Sequence, residues 1–146
     1  MGDFPTSVML ALLPETAEWC HIDLPHMTLV YCGELSDLKE TAHNELAKIA
    51  LSFAFTAEPL TLFVTGTEVF GDIETDQVDV LTLLASSDIL AMRSMVEDWS
   101  VSDYSFNPHV TVGPVGSVTQ PLPASITFDR IAVGWGDSLL TYKFIG

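Results

Sequence analysis

Two short phrases in the chain carry the residue types that acid–base chemistry needs: Pro25-His26-Met27-Thr28-Leu29-Val30 and Pro108-His109-Val110-Thr111-Val112-Gly113. Proline suits the first residue of a strand and biases its predecessor towards extended geometry, so each phrase reads as the start of a strand. Side chains alternate faces along a strand. His26 and Thr28 therefore project together, as do His109 and Thr111, while Met27, Leu29, Val110 and Val112 face apolar packing. Two such strands face to face supply two imidazoles and two hydroxyls. Such a set suits paired acid–base reactions, among them cleavage of a phosphodiester, which needs one proton taken from the attacking oxygen and another given to the leaving oxygen, roughly in line across phosphorus. Imidazole titrates near neutrality, so a neutral ring and an imidazolium can coexist and divide the two tasks with no metal. The threonine hydroxyls can donate to the non-bridging oxygens, where charge is stabilised. The residues leave open whether water or a ribose 2′-hydroxyl attacks, and which imidazole is the base.

The elements that must position these groups follow from apolar patterning. Val8 to Leu13 is an apolar run closed by Pro14, and reads as a buried strand. A polar connection containing Trp19, Cys20 and His21 leads to the first histidine strand, His26 to Cys32, which Gly33 stops. Asp37 and Glu40 resemble a capping box, and Leu38, Ala42, Leu46, Ile49 and Phe53 recur at helical spacing. His43 sits between those core-facing positions and is expected in solvent. Leu60 to Val64 is a strand, Gly66 to Asp76 an acidic, glycine-containing loop, and Val78 to Leu84 another strand. Ser86, Ser87 and Asp88 offer N-caps to a second helix with Ile89, Met92, Val96 and Trp99 on its buried stripe. After the second histidine strand, Ile126 to Val133 and Leu139 to Phe144 form a closing pair across the turn Gly134-Trp135-Gly136-Asp137.

This predicts seven strands and two helices in the order β-β-α-β-β-α-β-β-β. The short connections favour antiparallel pairing. Each phrase is followed by a glycine, Gly33 and Gly116, at the same offset from its histidine, which suggests a weak internal duplication. The expected fold is α+β: residues 1–146 as a single bilobal domain, with two antiparallel sheets, facing histidine strands and helices on the outer faces.

Composition narrows the partners. Five Lys plus Arg stand against twenty Asp plus Glu, a formal net charge of −15. Such a surface repels a long polyanion, whose binding depends on many cation–phosphate contacts, so long nucleic acid is not the expected partner. A hydrophobic content of 48% and a mean hydropathy of +0.35 exclude a disordered chain. No apolar run approaches membrane-spanning length, and Val8 to Leu13 is too short, with no basic segment before it, for a secretory signal. The first six residues fit the loose myristoylation pattern. Cys20 and Cys32 suit a reduced cytoplasmic protein, although a bridge between them is compatible with the sequence.

With both phrases complete and in this element order, the sequence resembles the two-histidine phosphoesterase superfamily, and Phe106-Asn107-Pro108-His109-Val110-Thr111-Val112 is especially like that family's second motif. The resemblance covers nearly the whole chain. It implies a phosphodiesterase without cofactor or metal, with His26 and His109 as the catalytic pair and Thr28 and Thr111 holding phosphate. It implies a small nucleotide substrate: a 2′,3′-cyclic phosphate, a 2′-5′ linkage or, as among viral members, a cyclic nucleotide signal of host immunity. The scarcity of basic residues departs from many members and argues against long RNA.

Four further residues are candidates for substrate contact. Trp135, between two glycines, could stack on a base or cap the core. Tyr104 precedes the second motif. Arg130 and Lys143, on the closing strands, could help a phosphate or form ordinary surface pairs. Zinc on His21, His26, Cys20 and Cys32 matches no standard spacing, and Asp72 stands where a phosphate loop needs lysine. Two readings compete with catalysis: a module that sequesters a nucleotide on the same scaffold, and a structural domain whose histidines cap strand starts through the backbone.

Overall fold

Period-two apolar runs become strands, and the two 3.6-residue patterns become helices, in the expected order. The computed structural model describes residues 6–71, 77–102 and 105–146. Its elements are β1 (Ser7–Pro14), β2 (Met27–Glu34), α1 (Glu40–Thr56), β3 (Leu60–Phe70), β4 (Val78–Leu83), α2 (Ser87–Met95), β5 (His109–Pro114), β6 (Ser125–Trp135) and β7 (Ser138–Lys143). Short 3₁₀ turns lie at Leu35–Asp37 and Glu97–Trp99. No helix among the described residues is long and apolar enough to cross a membrane.

Helix starts differ in how they are made. At α2 the Ser86 hydroxyl accepts from the Ile89 amide at 3.2 Å, satisfying one of the amides that the first turn leaves unpaired. At α1 the expected box from Asp37 to Glu40 does not form. Asp37 ends a 3₁₀ turn instead, and Lys39 occupies the N-cap with no side-chain bond.

Gly66 to Phe70, expected as loop, are strand. They find partners along β4, from Gly66 opposite Thr82 to Phe70 opposite Val78, with a register shift between Val64 and Gly66. This longer β3 also corrects the expectation of two separate sheets. Its first residues, Leu60 to Phe63, pair with β6, and the remainder pairs with β4. The ladders therefore join in one seven-stranded path, β2-β1-β6-β3-β4-β5, with β7 on β6. β6 is the second shared strand: Phe128 to Trp135 pair with β1, Ser125 to Phe128 with β3, and Arg130 to Trp135 with β7.

β2 and β5 stand at opposite ends of this path, yet they touch. The sheet must curl to allow it, as strand twist accumulated over many strands permits. α1 lies against β6 and β7, placing Leu46, Ala50 and Phe53 in the cluster that holds Leu10, Leu12, Ile131 and Val133. Ile89, Met92 and Val96 join the same cluster beside Leu81, Leu83, Val110 and Val112. Burial of each such leucine contributes roughly 2 kcal/mol, so the helices fasten one face of the sheet. On the other face of β1 and β6, Met9 lies opposite Gly134 and Ala11 opposite Ala132, and Ala11 is also opposite Thr28. That face belongs to the first histidine phrase.

Candidate active site

The two histidines are held in the same way. His26 Nδ1 lies 2.9 Å from the carbonyl oxygen of Leu24, and His109 Nδ1 lies 2.8 Å from that of Asn107. Each carbonyl belongs to the residue just before the proline of its phrase, and proline restricts that residue to extended geometry, which fixes where the oxygen sits. A carbonyl can only accept, so Nδ1 carries the proton in the neutral ring and Nε2 carries the lone pair. Neither Nε2 is engaged by a protein group among the described residues. The bond that could merely cap a strand start thus also orients each ring and leaves its other nitrogen open. The likeness of the two phrases extends to the glycines: Gly33 and Gly116 both have positive φ, 106° and 96°.

Two devices hold the phrases near each other. The segment entering the first phrase is fastened to the edge of β5, where the His21 amide donates to the Val112 carbonyl at 2.7 Å. Arg93 of α2, only 9% exposed, donates through Nη1 to the Leu29 carbonyl at 2.7 Å, and its guanidinium lies 5.1 Å from the centre of the Phe106 ring. Leu29 follows His26 by three residues and Phe106 precedes His109 by three. Glu97 completes the arginine's contacts at 2.7 Å. Sequence reasoning missed Arg93, although its position four residues after Ile89 places a charge on the buried stripe of the helix.

Burial pushes the His26 pKa below its ordinary value. The Leu24 carbonyl opposes this by favouring the charged ring, and the neighbouring positive charge of His109 lowers it further. Both threonines of the phrases are half-buried. Thr28 Oγ1 makes only a long contact, 3.8 Å to Met9 Sδ, and Thr111 Oγ1 makes no hydrogen bond among the described residues. The Thr111 hydroxyl is thus open to a ligand, and Thr28 can turn to one by giving up a weak bond to sulfur. Phe70, at the end of β3, meets His109 edge-on with ring centres 4.6 Å apart. Its place in a stretch that reads as loop gave no signal of this.

A cavity of 360 Å³ opens beside His26 along β1, reaching the turn between β6 and β7. Another of 390 Å³, walled by Trp19, Leu81 and Leu122, contains neither histidine. The remaining candidates are placed apart from the first cavity. Trp135 pairs with Val8 rather than Met9 and stacks on His43 of α1 at 4.9 Å, on the helix-covered face. His43, expected in solvent, is half-buried there, and its Nε2 is buried without a partner. Arg130 lies opposite Leu13, but its guanidinium turns to the Pro14 carbonyl at 2.7 Å and to Asp129 at 3.0 Å. Lys143, opposite Arg130, is exposed. Tyr104 lies outside the described residues.

Cys20 and Cys32 are both free thiols. Burial pushes Cys32 up to about 12, which leaves it an unreactive core residue. Among the described residues no three His, Cys, Asp or Glu side chains converge as a metal site would require.

The chain shares its fold with several solved structures, one of them described as a phosphoesterase. TT0787 of Thermus thermophilus aligns with a TM-score of 0.65 at 16% identity, over 96% of this chain and 98% of its own. Usb1 of Kluyveromyces marxianus aligns at 0.66 and 12% identity, over 94% and 98%. LigT of E. coli, in its complex with 3′-AMP, aligns at 0.54 and 15% identity, over 96% and 95%. No protein-family model matches the sequence, and no curated protein does.

Proposed function

We propose that this protein is a phosphodiesterase that cleaves a small nucleotide phosphodiester by acid–base catalysis between His26 and His109. The observation that carries this reading is the matched pair: each imidazole is held by its Nδ1 on the carbonyl two residues back, each presents a free Nε2, and each is followed at two residues by a threonine hydroxyl that has at most a weak bond to sulfur. Solved structures of similar fold support the nucleotide part, since Usb1 is described with uridine monophosphate and LigT with 3′-AMP.

His26 is the base in this proposal, because burial favours its neutral form. Its Nε2 takes the proton of the attacking hydroxyl, from water or a ribose 2′-OH. The new oxygen–phosphorus bond forms as the bond to the leaving oxygen breaks. His109 Nε2–H gives its proton to that leaving oxygen, and proton exchange with solvent then restores both rings. Thr28 and Thr111 donate to the non-bridging oxygens. A net charge of −15 weighs against long nucleic acid, and the two free thiols suit the cytoplasm.

The test is incubation in EDTA with cyclic mono-, di- and trinucleotides, 2′-5′ adenylates and 2′,3′-cyclic phosphates, read by mass spectrometry beside His109→Ala. Cleavage by the wild type alone supports the proposal and identifies the substrate class. Survival of every ligand with the wild-type protein overturns it.

A further inference from the structure

We propose that the 360 Å³ cavity beside His26 is a nucleoside subsite that selects guanine through Asp137. The proposal rests on the phosphodiesterase reading for where the phosphate sits. Asp23, Leu24 and His26, close together in the chain, line the cavity, so a phosphate at His26 places its attached nucleoside within it, and Asp23 is a second carboxylate there besides Asp137. The volume is at the small end of the roughly 300–1,000 Å³ of ligand pockets, which suits one nucleoside.

The walls suit a flat, uncharged ring. Met9, Ala11, Leu13, Gly134 and Leu139 line it, and among the described residues neither a lysine nor an arginine does. Gly134 keeps its wall low: a Cβ there would stand 3.3 Å from Met9 Cγ. The thioether of Met9 and the side chain of Leu139 offer polarisable and apolar surface to an aromatic face.

The far end is polar. Asp137 and Ser138 line it on the β6–β7 turn, which is held to β1 where the Gly136 amide donates to the Ser7 carbonyl at 2.9 Å. Among the described residues Asp137 has neither a hydrogen bond nor an ion pair to commit its carboxylate. An ionised carboxylate accepts at both oxygens and donates at neither. Guanine presents two adjacent donors, N1–H and the 2-amino group, which match it. Adenine and cytosine set one amino group beside an accepting nitrogen, and uracil sets its single N–H between two carbonyls.

The experiment is titration calorimetry with 3′-GMP, 3′-AMP, 3′-CMP and 3′-UMP, which carry no diester and so report binding whether or not the protein turns over. The proteins are wild type, Gly134→Val and Asp137→Asn. One bidentate pairing discriminates between bases by about ten- to a hundredfold, so 3′-GMP should bind at least that much tighter than 3′-UMP. Gly134→Val, checked for an unchanged melting temperature, should weaken all four ligands, and Asp137→Asn should remove the guanine preference. Should Gly134→Val fail to fold, Asp137→Asn on its exposed turn still decides. Equal binding of the four, absence of binding, or a preference that survives Asp137→Asn overturns the proposal. Guanine preference without cleavage of any diester would retain the subsite and remove the catalytic reading, and cleavage without base preference would do the reverse.

Discussion

Arg93 Nη1 donates to the Leu29 carbonyl at 2.7 Å while the same guanidinium lies 5.1 Å from the centre of the Phe106 ring. One buried side chain on α2 thereby touches the strand after His26 and the approach to His109. Arg93→Met removes both contacts and the Glu97 pair. A hydrogen bond from a charged group is worth about 2 kcal/mol, and chemical denaturation should show a loss of that order. If Arg93 positions the pair, kcat should fall at least tenfold with little change in KM, and Arg93→Lys, lacking the fork, should recover only part of it. A stability loss with kcat intact would restrict Arg93 to holding α2.

His26 should titrate below the ordinary histidine range, and proton NMR of its ring follows this directly. His109→Ala removes the neighbouring charge, so the His26 pKa should rise, yet stay depressed because burial is the larger cause. The unfolded chain binds this proton more readily than the folded one. The stability held by neutral His26 is therefore full above the ordinary histidine pKa and is lost as pH falls from there through the folded value. An unmoved His26 titration in His109→Ala would show that the rings do not sense each other.

Thr28 and Thr111 should matter through their hydroxyls alone. Thr28→Val and Thr111→Val should each lower kcat by about a hundredfold, the usual cost of one donor to developing charge. Thr28→Ser and Thr111→Ser should keep most of the rate, and melting temperatures should scarcely move. Equal losses for serine and valine would point to shape rather than hydrogen bonding.

Much of this was legible in the residues. The element order followed from apolar periodicity, and the two phrases marked the residues that the structure holds in matching geometry. The single curled sheet was not legible, because it depends on β3 changing partners from β6 to β4 along its length, a long-range choice. Gly66 to Phe70 read as loop because their side chains are largely exposed, leaving no apolar alternation. The place of Trp135 was available from parity. Ile131, Val133 and Trp135 alternate on one face, and that is the face α1 covers. The cavity floor at Gly134 and the free carboxylate of Asp137 arise from β1 meeting the β6–β7 turn, which no local pattern announces.

The central claim is that the two imidazoles act as one acid–base unit. Its most direct test is turnover of a cleavable substrate from the panel by wild type, His26→Ala, His109→Ala and the double variant, all shown to be folded. Residues that act together are not additive, so each single change should abolish about as much rate as both, on the order of a thousandfold or more. Either single variant retaining near wild-type turnover, or two modest losses that simply multiply in the double, would contradict it.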